Sequence, residues 1–76
     1  MDIQELRNEA LIFLKEEIET LANETSKSVV QHSTTWLNAQ VSILHYLDIF
    51  NTNIAKTIQD SIELTSNFAY QNCGGK

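Results

Sequence analysis

Ser42, His45 and Asp48 stand at three-residue intervals, the residue types of a hydrolase triad, and they are the clearest candidates for chemistry in this chain of 76 residues. On a helix that spacing lines the three side chains along one flank. Acyl transfer also needs a pocket and donors converging on the developing oxyanion, whereas amides in mid-helix are already bonded within the helix. The spacing therefore predicts a solvated His45 beside Asp48, no catalytic residue, and a protein that is not an enzyme.

Metal chemistry fares no better. His32 and His45 are thirteen residues apart on different helical faces and Cys73 is distant, so no ligand spacing exists within one chain. His32 also lacks the lysine and glycine companions expected after a phosphotransfer histidine. Neither a metal nor any other cofactor is expected.

Charge narrows the partners. All five net negative charges fall in the first 24 residues, where Asp2, Glu5, Glu9, Glu16, Glu17, Glu19 and Glu24 outnumber Arg7 and Lys15. A nucleic-acid binder needs a basic stripe to displace counterions from phosphates, and attraction to anionic lipid has the same requirement. Nucleic acid is thus excluded as an expected partner, and a basic protein is favoured. The longest apolar run, Ala10 to Leu14, is far below the roughly 20 residues of a transmembrane helix. A single Cys73 forms no internal disulfide, and a cytoplasmic location is the default expectation.

The elements that must position these residues are helical. There is no proline, and both glycines, Gly74 and Gly75, stand at the end. Asp2 followed by Glu5 has the pattern of a capping box, and Ile3, Leu6, Ala10, Phe13, Leu14, Ile18, Leu21 and Ala22 recur at helical spacing. Residues 23–28 are wholly polar and predict a turn, with Thr25 or Ser26 capping the next helix. Beyond it, apolar doublets recur every seven residues as Val29 and Val30, Trp36 and Leu37, and Ile43 and Leu44, and the phase continues through Phe50, Ile58 and Leu64. Such a repeat keeps one stripe facing a partner helix.

The expected fold is all-α: a helical hairpin with a short helix over about 2–22 and a long one over about 26–70, in one domain spanning 1–76 with a short flexible tail at 73–76. The long helix would measure roughly 65 Å and the short one roughly 30 Å. Ile54, Ile58, Ile62 and Phe68 would then lie beyond the cover of the first helix, which predicts association into a dimeric bundle. The expected oligomer interface comprises Val30, Leu37, Leu44, Leu47, Asn51, Ile54, Ile58, Ile62 and Phe68, with Asn51 either fixing register or marking a bend. A break near 51–53, where Asn51, Thr52 and Asn53 are weak helix formers, gives the alternative, a compact three-helix bundle.

Trp36 and Phe50 read as core, whereas Tyr46 and Ile49 fall off the stripe and, with Glu16 and Glu17, form the expected partner surface. The rest of the long helix's polar face is mostly Ser, Thr, Asn and Gln, which are cheaper to desolvate than ions. Two functions fit. One is a non-enzymatic, self-associating interaction module, such as an adaptor, regulator or inhibitor, that binds a protein partner. The other is an amphipathic coat on lipid or polymer granules.

Overall fold

A computed structural model describes residues 2–73 and folds them into three helices of equal length: α1 (Ile3–Ala22), α2 (Lys27–Tyr46) and α3 (Thr52–Gln71). They pack up, down and up as a compact three-helix bundle, a rod of 44 × 18 × 15 Å. The fold is all-α, and the compact three-helix bundle is the version of it that the chain adopts, with its break at 47–51 and with Thr52 and Asn53 already in α3.

α1 begins as its sequence demands. The Asp2 carboxylate accepts a 2.8 Å hydrogen bond from the Glu5 amide, satisfying one of the free donors at the helix start. At its other end the Glu24 amide donates to the Leu21 carbonyl, and the Asn23 side chain donates to the Glu19 carbonyl. Ser26 occupies the N-cap position of α2, although its hydroxyl meets Ser28 Oγ at 3.0 Å and makes no capping bond to the backbone.

The continuous helix over 26–70 is overturned, and the reason lies in residues 47–51. Leu47 caps α2, and Asp48 turns left-handed with φ 61°. The Asp48 amide donates to the His45 carbonyl and the Ile49 amide to the Leu44 carbonyl, the paired bonds of a Schellman motif. Ile49 and Leu44, the residues that motif brings together, both pack half-buried on the core. Phe50 then drops fully into the core, and the Asn51 side chain accepts a 2.9 Å bond from the Ile54 amide to open α3. Asn51 is therefore a helix cap at a bend.

With α3 folded back, the apolar ridge expected to need a second chain is covered from within. Leu14 and Leu21 of α1, Val30, Leu37 and Val41 of α2, and Ala55, Ile62 and Ala69 of α3 close around Phe50. α2 and α3 are the most closely packed pair and α1 and α2 the least. Ala55 and Ala69 bring little bulk to their helix, which lets a neighbouring backbone approach. Cys73, expected in a flexible tail, is buried, with Sγ 3.1 Å from the Ala69 carbonyl and 3.9 Å from that of Glu24. The remainder of that tail, 74–76, lies outside the described residues.

Candidate functional site

Three seams run along the bundle, and they differ in chemistry. The α2–α3 seam is polar and closed by specific contacts. Thr34 Oγ1 lies 2.9 Å from Ser66 Oγ, the Lys27 ammonium sits 4.9 Å from the centroid of the Tyr70 ring, and His45 Nε2 lies 3.4 Å from Thr52 Oγ1. The neutral polar face expected of the long helix supplies part of this seam, together with the hollow lined by Asn38, Gln59 and Asn67. The α1–α3 seam is apolar but shallow, with Leu11, Ile18, Ile54 and Ile58 half-buried along it. Arg7 closes its lower end by donating from Nε to the Ile49 carbonyl at 2.7 Å.

The α1–α2 seam is the least closely packed, and it carries exposed apolar side chains. At its middle Phe13 and Trp36 meet edge to face, with centroids 5.9 Å apart and planes at 67°, a favoured aromatic geometry worth about 1 kcal/mol. Both rings nevertheless remain open to solvent, Phe13 at 46 % and Trp36 at 41 % exposure. Leu6 lies one heptad before Phe13, and Val29 and Ile43 lie one heptad on either side of Trp36, so the spacing puts each on the same side of its helix as the aromatic pair. Each of these is exposed, giving an apolar strip that spans about 20 Å along α2. Toward the 23–26 turn the strip opens into a groove of ≈ 460 Å³ whose walls include Glu17, Glu24 and His32 and, among the described residues, no lysine or arginine.

The doublets of the sequence acquire a meaning here. One member of each pair, Val30, Leu37 and Leu44, points to the core or packs against it, while the other, Val29, Trp36 and Ile43, is exposed, with Trp36 meeting Phe13 of α1. Trp36 is accordingly a surface residue, and Phe50 is the core aromatic. The signal for the strip was the second row of that repeat; a single stripe absorbs it only if the helix has one neighbour, and α2 has two.

The residues expected at an oligomer interface are dispersed. Val30, Leu37 and Ile62 are fully buried in the chain's own core, Leu44, Ile54 and Ile58 are half-buried against it, and Leu47 and Phe68 are exposed at separate ends of the rod. Of the expected partner surface, Glu17 lines the α1–α2 groove, Glu16 points outward, and Tyr46 is the most exposed large apolar side chain, whereas Ile49 packs against the core. Ser42 is exposed on α2, His45 faces Thr52, and Asp48 belongs to the helix cap, so the triad-like set forms no common site. Among the described residues no group of three or more His, Cys, Asp or Glu side chains is placed to hold a metal ion, and no helix is long and apolar enough to cross a membrane. Comparison with protein-family models, with curated proteins and with solved structures yields no match.

Proposed function

We propose that this chain is a non-enzymatic helical interaction module, an adaptor, regulator or inhibitor that binds a protein partner across the α1–α2 seam. The observation that carries the reading is the Phe13–Trp36 pair, half-exposed at the centre of an apolar strip although the core beneath it is complete. An exposed apolar row flanked by polar residues marks an interaction surface, and tryptophan is enriched among the residues that dominate binding energy. The granule-coat expectation rested on one unbroken amphipathic rod, and the division into α2 and α3 removes that rod. Self-association was expected in order to cover Ile54, Ile58, Ile62 and Phe68; α1 and the core now take up the first three, which leaves a different protein as the favoured partner.

Photo-crosslinking in the native cell tests this. A photoreactive phenylalanine derivative in place of Val29 should trap a protein that the same group in place of Asn67, on the polar α2–α3 seam, does not. Equal labelling from both positions, or none from Val29, would overturn the proposal.

A further inference from the structure

The α1–α2 strip is divided along its length, and the division describes its occupant. On the side of the aromatic pair toward the bundle's α2–α3 turn lie Leu6 and Ile43; on the other side Val29 continues the apolar row and the carboxylates of Glu17 and Glu24 line the groove beside it. The chain's described cations are placed elsewhere. Arg7 is held by the Ile49 carbonyl and by Gln4 Oε1, Lys27 covers Tyr70, Lys15 borders the α1–α3 hollow, and Lys56 is exposed on α3. Among the described residues, the groove lining supplies no cation to these two carboxylates.

A second copy of the chain fits that pattern poorly. A two-fold axis parallel to the helices would set Glu17 and Glu24 against the same two residues of the other copy, and like charges brought together out of water are costly. A two-fold axis crossing the seam at the rings would instead lay both carboxylates over Leu6 and Ile43, burying charge without a partner. An amphipathic helix from another protein meets both halves, its apolar row at i, i+3, i+4 and i+7 lying along the strip.

We infer that the α1–α2 seam receives an amphipathic helix whose apolar stripe covers Leu6, Phe13, Trp36 and Ile43 and whose lysines or arginines, grouped toward one end, face Glu17 and Glu24. The inference rests on the proposed interaction module and adds the class and the direction of the partner. The basic end of the bound helix lies beside the 23–26 turn.

The test uses the full chain and two synthetic helical peptides of about 18 residues with one Leu and Ile stripe, flanked at one end by Lys and Arg in the first and by Glu in the second. Trp36 is the sole tryptophan of the chain, so its emission reports burial of the strip directly. The basic peptide should shift that emission to shorter wavelength and bind more tightly than the acidic one. E17Q/E24Q should weaken it about tenfold at low ionic strength, an effect that fades as salt rises. D60N/E63Q, which removes the same charge from the α2–α3 seam, should leave the affinity unchanged.

Equal affinity for the two peptides, equal loss in the two double variants, or no binding would overturn the inference. So would a doubled mass in light scattering accompanied by the same Trp36 shift without peptide, which would make the occupant a second copy. If Val29 still crosslinks a protein while the basic peptide shows no preference, the partner class fails and the interaction reading stands. Failure of both sinks both.

Discussion

At the scale of single residues, the bundle turns on Asp48. It holds a left-handed backbone at φ 61°, a conformation that the Cβ of an L-residue opposes and that asparagine and aspartate tolerate better than most. Its carboxylate also stands at the C-terminal end of α2, where the helix dipole disfavours negative charge. Glycine removes both penalties at some cost in unfolded-state entropy, so D48G should raise stability by about 0.5–1 kcal/mol in denaturant unfolding. A lower unfolding midpoint in that variant would show that the Asp48 side chain contributes something the cap geometry does not explain. Asn51 and Phe50 complete the same local device, one capping α3 and the other anchoring the turn in the core.

At the scale of the elements, α1 is the most independent helix. It meets α2 least closely, and its ties to the rest are the core side chains Leu14 and Leu21, the half-buried Leu11 and Ile18, the Phe13–Trp36 pair and the Arg7 bond to Ile49. Local opening depends on packing, so native-state hydrogen exchange should release the mid-helix amides of α1 before those of α2 and α3. Protection of α1 equal to that of α3 would contradict this order. The limits of α1 were legible in the sequence because each carries its own signal: Asp2 with Glu5 at the start, an unbroken polar run at the end. The second boundary was not, because its stop signals are disguised. Asp48 takes the place where glycine is usual, Phe50 reads as helical core by spacing although it belongs to the turn, and Ile49, off the stripe by spacing, is half-buried by the same turn. The heptad phase also survives the turn, since residues 47–51 interrupt the helix without displacing Ile54, Ile58 and Ile62 from the inward side. The candidate seam was half legible. Its residues were visible as the doublets, but assigning Trp36 to the surface requires knowing that α2 has a neighbour on each flank.

At the scale of the whole molecule, the chain supplies its own core. Ile62 is fully buried where a second chain was expected to cover it, and truncating it to alanine should cost about 2–4 kcal/mol through lost transfer energy and the cavity left behind. The melting temperature of I62A should fall below that of the parent by the same amount at every protein concentration, as expected of a core closed within one chain. A fall that recovers on concentrating the sample would mean that another chain completes the core. The two connections, 23–26 and 47–51, also join helices that are neighbours in space, so much of the packing links segments close in sequence. Closing so short a loop costs little entropy, and chains dominated by such near-neighbour pairings fold on the order of microseconds to milliseconds. A chain with this layout closes its core almost as soon as it leaves the ribosome, and the α1–α2 strip stays on display afterwards.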